Sequence, residues 1–245
     1  MDELWTCHLG TVSYREALAL QHRLRAARLR DAIPDVLLLL EHPPVYTRGR
    51  RSDPRELAMG EEWYLGQGID VVDVDRGGRV TYHGPGQLVG YPIMRVADVV
   101  GHLRTLEGAI VAALAEEGIA GRGRTEDGAD YTGVWVGESK IASLGVHVQK
   151  GVTTHGFAVN VANDLLPFEW VVPCGLEGVR MTSVTNERGE QADLRCFRRR
   201  MAFTVAQAHG RRQRLVSLER LLSRSDAEQL HPGRIEASPA GDYCR

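Results

Sequence analysis

A glycine-rich run between strand-like halves, RGGRVTYHGPGQLVGYPI at 76–93, constrains the fold of this 245-residue chain more than any other stretch. Glycine loses more backbone entropy on folding than other residues. A glycine cluster therefore marks tight turns or places where a ligand approaches the backbone closely. We expect three successive strands, at 69–74, 80–83 and 88–93, with glycine turns between them. The run predicts either a ligand-binding wall or a tight β-meander without a ligand, and by itself it favours neither.

Composition and charge limit the classes of protein to which the chain can belong. With 43% hydrophobic and 25% charged residues, it can bury a sizeable core as one large domain or two small ones. A net charge of −2 excludes a generally basic nucleic-acid-binding protein. The sequence has no apolar run of membrane-spanning length and no basic-then-apolar leader, so we expect a cytoplasmic protein without a membrane partner. The cysteines lack the spacing of a zinc site, and we expect no metal.

Hydrophobic periodicity predicts alternating helices and strands. We expect helices after a capping box at Ser13, over 99–114 and beyond Asp193, and strands over 36–40, 131–136, 141–148 and 153–161. The prolines at 43–44 end the 36–40 strand and favour an extended loop. A turn at 137–139 joins two of the strands into a hairpin and places Lys140 just after the turn.

Reactive chemistry is concentrated at Cys174, which lies between a proline and a glycine. A thiol becomes a useful nucleophile where a cation or an oriented dipole stabilises its thiolate. Lys140 is the candidate cation, because the chain otherwise uses arginine at every basic position except Lys150. The alternatives are a buried, inert cysteine and a solvated hairpin lysine.

Other signals are weaker. The glycines at 84–90 have the wrong spacing for a dinucleotide-binding motif. No metal-binding motif connects His83, His147 and His155, although His83 and His155 are candidates to line a site. A cysteine hydrolase would need a histidine and an Asn or Asp beside Cys174, and this reading stays open as an alternative.

Three motifs resemble the octanoyl-[acyl-carrier-protein]:protein N-octanoyltransferases of lipoate biosynthesis, also called lipoate-protein ligase B. They are the run at 76–93, KIASLGVHVQKGVTTHGFAVNV at 140–161 and PCGL at 173–176. The resemblance implies an α/β fold of the α+β type, in which helices flank a mixed, largely antiparallel sheet, as in biotin and lipoate protein ligases. We expect one acyltransferase domain over 1–210 and a helical, polar extension over 211–245 with a disordered end.

The resemblance also implies which residues form the site. Cys174 would carry the acyl group as a thioester, and Lys140 would lower the pKa of the thiol and assist proton transfer. Substrate contacts are implied for Arg76, Gly77, Gly78, Arg79, Val80, Thr81, Tyr82, His83, Ser143, Leu144, Gly145, Gly156, Phe157 and Ala158. Phe157 stands where the family often has leucine, which would reshape the cavity and leave the chemistry unchanged.

The implied reaction moves an octanoyl group from octanoyl-acyl carrier protein to a lysine of lipoyl domains in 2-oxoacid dehydrogenases or of the glycine-cleavage H protein. Thioester exchange is nearly isoenergetic. We therefore expect no cofactor beyond the phosphopantetheine of acyl carrier protein, and a monomeric enzyme. One alternative is an ATP-dependent lipoate or biotin ligase on the same fold, which would not need Cys174. Another is a catalytically silent protein that docks carrier domains. An arginine-rich region at 195–214 is a candidate docking surface, or simply a solvated face.

Overall fold

A strand that is apolar along almost its whole length lies at the centre of the fold. The computed structural model describes residues 2–171 and 178–225. In it, β2 (Asp35–Glu41, DVLLLLE) is buried except at its last residue. Leu37 and Leu39 belong to one hydrophobic cluster, and the leucines and valine that alternate with them belong to another. Successive side chains of a strand point to opposite faces, so both faces of this sheet are covered by helices.

The elements follow one another with short connections. From the N-terminus they are β1 (Glu3–Thr11), α1 (Tyr14–Leu29), β2, β3 (Val45–Arg48), α2 (Glu61–Gly66), β4 (Asp70–Asp73), β5 (Thr81–His83), β6 (Gln87–Ile93), α3 (Val99–Ala115), β7 (Arg122–Gly123), β8 (Gly133–Val136), β9 (Ser139–Gln149), β10 (Val152–Asn160), β11 (Arg180–Met181), α4 (Val184–Arg188), α5 (Leu194–Ala208), β12 (Arg212–Leu215) and α6 (Leu218–Arg224). Short 3-10 helices occupy Pro54–Glu56, Thr125–Asp127 and Leu166–Trp170.

The main sheet is mixed and largely antiparallel, which confirms the predicted fold class. Its order is β12-β1-β2-β6-β10-β9-β8-β7, and β11 pairs with β9 outside this path. Within the described residues of this sheet, only the pairs β1–β12, β1–β2 and β9–β11 are parallel. The predicted hairpin is present as β8–β9, and it places Lys140 in the second residue of β9.

Helices cover the two faces of this sheet. The predicted apolar stripe of α1 is buried against one face, and the Ser13 hydroxyl accepts a hydrogen bond from the Glu16 backbone at the helix start. α3 and α5 pack together on the opposite face. Among the helices of the described ranges, none has both the length and the apolar character needed to span a bilayer.

The meander predicted from the glycine-rich run is wrong in its pairing. β4 and β5 do not pair with each other, because β3 lies between them, parallel to β4 and antiparallel to β5. β6, the third predicted strand, belongs to the main sheet. The loop predicted at the prolines is present at 42–44, and β3, which was not predicted, follows it at Val45. This strand has four residues, too few to show a hydrophobic period.

The described part of the predicted C-terminal extension belongs to the main sheet. β12 pairs with the edge strand β1, with Arg212 opposite Glu3. Leu218 and Leu221 of α6 pack in the same hydrophobic cluster as α1. A domain boundary at 210 therefore falls just before a strand of the sheet. Residues 226–245, with the predicted disordered end, lie outside the described residues.

Candidate active site

A pocket lies between the main sheet and the loop that enters the small sheet β4-β3-β5. Most of the residues predicted from the motifs line it. They are Lys140, Arg76, Gly78, Arg79, Thr81, His83, Ser143, Leu144, Gly145, Gly156, Phe157 and Ala158. These residues come from three separate stretches of the sequence, and the antiparallel pairing of β9 with β10 brings two of the stretches together.

Three predicted contact residues are absent from the lining. Val80 and Tyr82 are buried in an aromatic cluster with Tyr46, Tyr64 and Phe168. The Gly77 backbone N–H instead donates to the Val146 carbonyl oxygen at 3.1 Å. These residues hold the pocket wall in place. The predicted nucleophile, Cys174, lies outside the described residues.

Lys140 is buried within the wall that β9 forms. Its side chain is among the largest fully buried ones, and Nζ lies 5.3 Å from the centre of the Trp135 ring. A Cβ atom at Gly133 would lie 2.6 Å from Lys140 Cε, so the glycine leaves room for the lysine. The Thr182 backbone N–H donates to the Lys140 carbonyl oxygen at 3.0 Å. The interpretation of Lys140 as a solvated hairpin residue is therefore wrong.

Close backbone approach forms the wall between β9 and the loop at 76–78. A Cβ at Gly145 would lie 2.7 Å from the Gly77 carbonyl oxygen, closer than a side chain can approach. The buried Arg76 guanidinium spans this loop, donating to the Thr47 carbonyl at 2.7 Å and to the Gly77 carbonyl at 3.0 Å. The glycines of the motif thus allow two chain segments to meet beside the pocket.

Two arginines form the exposed edge of the pocket. Arg51 Nη2 lies 2.9 Å from Asp130 Oδ1, and Arg79 Nη1 lies 2.8 Å from the buried carboxylate of Glu56. Arg51 and Arg79 are partly exposed, with 44% and 31% of their side chains accessible. Each arginine is thus paired with a carboxylate and keeps part of its guanidinium accessible at the pocket edge.

A buried polar chain links His83 to Thr182, the residue whose backbone N–H bonds to Lys140. His83 Nδ1 lies 2.8 Å from the Gln87 side-chain oxygen, and the Gln87 amide donates to Asn160 Oδ1 at 2.9 Å. The Asn160 amide donates in turn to the Thr182 carbonyl at 3.0 Å. Burial holds the pKa of His83 well below its ordinary value, so this ring is neutral near pH 7.

His155 occupies an unusual backbone conformation for a strand residue. Its φ is +58°, a region that non-glycine residues adopt rarely and that occurs preferentially at functional sites. Its backbone N–H donates to Gln21 Oε1 at 2.6 Å, and Nε2 lies 2.6 Å from Asp75 Oδ1. The His155 side chain is buried, whereas 44% of the Asp75 side chain is accessible. A strained, buried histidine therefore connects the pocket to a carboxylate at the surface.

Sequence reasoning missed several residues that line the pocket. They are Tyr14, Arg51, Tyr91, Ala129, Asp130 and Thr132. Tyr14 begins a helix and Tyr91 lies in an apolar strand, so both have the pattern of core residues. The available signal was chemical, since a buried tyrosine hydroxyl needs a hydrogen-bond partner. Within residues 2–171 and 178–225, no group of three His, Cys, Asp or Glu side chains is arranged to hold a metal ion.

Comparison with known proteins identifies close relatives in sequence. Residues 13–206 match the model of the lipoyl protein ligase A/B catalytic domain. An octanoyltransferase of Caldicellulosiruptor saccharolyticus is 40% identical, and the alignment covers 96% of this chain and 99% of the relative. One from Rubrobacter xylanophilus is 47% identical, with 76% and 84% covered.

Solved structures share the fold at much lower sequence identity. The bipartite lipoate protein ligase of Thermoplasma acidophilum, studied with its E2 lipoyl domain, superposes with a TM-score of 0.69 at 18% identity and covers 92% of this chain and 91% of its own. A lipoate-protein ligase A bound with ATP gives 0.70 at 19% identity, with 91% and 92% covered. At this identity the likeness establishes the fold alone.

Proposed function

This chain belongs to the lipoyl protein ligase A/B catalytic-domain family and is an octanoyltransferase of protein lipoylation, and on that premise we propose how its pocket works. The donor is octanoyl-acyl carrier protein, and Cys174 carries the octanoyl group as a thioester. The acceptor is a lysine of a lipoyl domain in 2-oxoacid dehydrogenases or of the glycine-cleavage H protein. The E2 lipoyl domain named with the Thermoplasma ligase supports this class of acceptor.

The position of Lys140 carries the proposal. It is a buried amino group in the wall of a pocket that its own motif surrounds. The described chain resumes at Gly178 after Cys174 and reaches Met181, which pairs with Lys140 across β11 and β9. In contrast, Cys7 is buried in the core, and burial raises the pKa of its thiol to about 12. Cys7 is therefore a poor nucleophile.

The first half-reaction needs only the Cys174 thiol and the Lys140 amino group. The amino group of Lys140 accepts the proton of the Cys174 thiol, and the resulting ammonium stabilises the thiolate. The thiolate attacks the octanoyl thioester, and the phosphopantetheine thiolate leaves with the proton from Lys140. One thioester replaces another, so the step requires no ATP and no metal.

The other residues that line the pocket bind the substrate. Leu144, Phe157 and Ala158 supply apolar surface for the acyl chain. Burying the seven carbons beyond the carbonyl would contribute on the order of 5 kcal/mol, at roughly 0.8 kcal/mol per methylene. Arg51 and Arg79, at the exposed edge, suit the phosphodiester of the phosphopantetheine arm.

Intact mass after incubation with octanoyl-acyl carrier protein tests this function. Without ATP, the wild-type chain gains one octanoyl group, and a lipoyl domain added afterwards removes it. Cys174→Ala gains none, whereas Cys7→Ala, the same change at a buried site outside the pocket, gains one. A Cys174→Ala protein that still transfers octanoate would refute the thioester. Transfer that needs free octanoate and ATP would instead establish the ligase alternative.

A further inference from the structure

Hydrogen bonds connect the pocket surface to the half-exposed carboxylate of Asp75. The hydroxyl groups of Tyr14 and Tyr91, which both line the pocket, interact with each other. The Tyr14 hydroxyl lies 3.2 Å from Nδ1 of His155, and Nε2 of the same ring lies 2.6 Å from Asp75 Oδ1. Each group between the pocket and the carboxylate is thus bonded to the next.

The same series continues on the other side of Tyr91 and ends at a backbone carbonyl. His42 Nε2 lies 2.7 Å from the Tyr91 hydroxyl, and His42 Nδ1 lies 2.6 Å from the Val12 carbonyl oxygen. His42 is completely buried. We call the series Val12–His42–Tyr91–Tyr14–His155–Asp75 the Tyr–His chain.

The Tyr–His chain has one polar contact more than it has protons. Five contacts join its groups, and both ends, a carbonyl and a carboxylate, can only accept. The two hydroxyls and two neutral imidazoles between these ends each bring one proton. The chain therefore has an acceptor site for one additional proton.

The position of that site follows from the ends. His42 must place its proton on Nδ1 to bond the Val12 carbonyl, so its Nε2 can only accept. His155 must place its proton on Nε2 to bond the Asp75 carboxylate, so its Nδ1 can only accept. Three contacts lie between these two nitrogens, and the two tyrosine hydroxyls supply two protons for them. The contact without a proton therefore involves a tyrosine that lines the pocket.

The surrounding charges keep the chain in this state near neutral pH. The hydrogen bond from His155 holds the pKa of Asp75 well below its ordinary value. Burial lowers the pKa of His155 despite the carboxylate, and it lowers the pKa of His42 to about 4. Other groups also face the chain. They are Arg76 and His83 beside the tyrosines and His42, and His22 and His147 beside Asp75.

We propose that the Tyr–His chain accepts a proton from the acceptor lysine during octanoyl transfer, with the Tyr14 hydroxyl as the group that receives it and Asp75 as the exit to solvent. The proposal rests on the thioester function above. It assigns a catalytic role to Tyr14, and positioning roles to His155 and Asp75, which act through Tyr14.

Proton balance shows why a second acceptor is needed. The acceptor lysine has a pKa of about 10.4 and arrives as an ammonium with three hydrogens, whereas the amide nitrogen retains one. An ammonium has no lone pair, so one proton must leave before attack. This proton goes to the Tyr14 oxygen while the original Tyr14 proton moves to His155 Nδ1, and all five contacts are then filled. The amine then attacks, the C–S bond breaks as the C–N bond forms, and the electron pair of the C–S bond remains on the Cys174 sulfur. Lys140, neutral in the acyl-enzyme, takes the second proton and restores its ion pair with the thiolate.

Asp75→Asn tests the proposal, because it fills the chain without changing its shape. The asparagine amide has a donor end, and when this end bonds His155 Nε2 the ring carries its proton on Nδ1. This orientation is favoured because it leaves no contact of the chain without a proton. We expect transfer from preformed octanoyl-enzyme to a lipoyl domain to slow by about 100-fold or more, the usual scale of proton-transfer catalysis. Octanoyl-enzyme formation from the donor should stay within about threefold of wild type. Asp73→Asn, an exposed carboxylate on the neighbouring strand, is the matched control.

Two further readouts separate a relay from a structural role. In wild type the single-turnover transfer rate should fall at acid pH as the chain takes up its additional proton, and Asp75→Asn should lose this dependence. Nitrogen-15 NMR should show His155 protonated on Nε2 in wild type and on Nδ1 in Asp75→Asn. Tyr14→Phe should reproduce the slow transfer, whereas Tyr91→Phe, which leaves Tyr14, His155 and Asp75 connected, should cost less.

Specific results would overturn the proposal. The proposal is overturned if Asp75→Asn transfers octanoyl groups at the wild-type rate and with the wild-type pH profile. This result is most direct if NMR shows that the tautomer of His155 has changed in the variant. If Asp75→Asn does not fold, a folded Tyr14→Phe protein with unchanged transfer would be equally decisive. Failure of the wild-type chain to form octanoyl-enzyme would be a different result, since it would refute the thioester function and the relay with it.

Discussion

The pocket has two walls that handle charge in different ways. In the first, formed by β9, the Lys140 amino group is enclosed by strand backbone and the Trp135 ring, with 1% of the residue exposed. In the second, the Tyr–His chain leads from Tyr14 to Asp75, which is 44% exposed. The first wall can hold a proton in place and the second can pass one to solvent. The proposed mechanism of acyl transfer to a lysine uses both properties, one to activate the Cys174 thiol and one to remove a proton from the acceptor.

Removal of Lys140 should have the largest effect, because it abolishes the charge of the first wall. Lys140→Ala should lower octanoyl transfer by about 100-fold or more, the scale of a lost proton-transfer group. It should also raise the pKa of the Cys174 thiol towards the roughly 8.5 of a free cysteine, since no ammonium stabilises the thiolate. Iodoacetamide alkylation across pH, on protein kept reduced, measures the second effect.

Arginine at the same position separates charge from proton transfer. Lys140→Arg keeps a positive charge that cannot be released at accessible pH. Alkylation of Cys174 should partly recover while transfer stays impaired. Lys150→Ala, at an exposed turn, is the control. If Lys140→Ala leaves both alkylation and transfer unchanged, the first wall has no chemical role and the base must be sought among the histidines.

The second wall should make the fold sensitive to acid. His42 is neutral in the folded protein because burial lowers its pKa to about 4, whereas an unfolded histidine has a pKa of about 6.5. The unfolded chain therefore binds more protons below pH 6.5. The stability that the neutral ring provides is complete above this pH and falls until about pH 4. At about 1.4 kcal/mol per pH unit, the loss is on the order of 3 kcal/mol.

Urea unfolding of wild type and His42→Gln at a series of pH values checks this expectation. Glutamine can still form hydrogen bonds but does not titrate, so the variant should lose less stability on acidification. His22→Gln, a change at an exposed histidine, should keep most of the wild-type slope. Parallel stability profiles of His42→Gln and wild type would show that His42 does not cause the acid sensitivity.

Two glycines that face each other across the first wall should respond differently to alanine. A Cβ at Gly145 would lie 2.7 Å from the Gly77 carbonyl oxygen, whereas a Cβ at Gly77 would lie 3.5 Å from the Val146 carbonyl, an ordinary contact. Gly145→Ala should therefore reduce the free energy of unfolding by about 1–3 kcal/mol, as overpacking does. Gly77→Ala should reduce it less, and thermal unfolding compares them. Equal losses would mean that the loop at 76–78 can move away from β9.

The sequence was a good guide to local structure and to the first wall. Helical stripes, apolar runs and the turn at 137–139 are local patterns, and the helices and the β8–β9 hairpin follow them. Lys140 and the glycines belong to contiguous motifs, so the motifs indicated the whole β9 wall. The pairing of β4 with β3 was not predictable in this way, because the partner of a strand is determined by tertiary packing.

Most of the second wall could not be predicted from the sequence, because it too is determined by tertiary packing. Tyr14, Asp75, Tyr91 and His155 lie on four separate elements or loops, and no spacing in the sequence relates them. His155 was noticed as a histidine in a motif, but its partners and its positive φ depend on contacts made by the folded chain. A polar network that is assembled from distant residues leaves no periodic signal.

The smallest effect is expected from the arginine-rich region, which lies outside both walls. Arg200 pairs with Glu117, Arg211 with Asp2 and Asp35, and both Arg212 and Arg214 with Glu3. These carboxylates neutralise much of the charge of the region that the sequence suggested as a docking surface.

Exposed ion pairs contribute little to stability, about 0–1 kcal/mol each. Arg214→Glu should therefore change the apparent KM for octanoyl-acyl carrier protein by less than about twofold at low salt, because in the proposed function the donor meets Arg51 and Arg79 at the pocket edge instead. Arg51→Glu, tested in parallel, should raise this KM more, and the difference should shrink as salt screens the charge. A larger, salt-sensitive rise for Arg214→Glu would move donor docking to the β12 edge of the sheet.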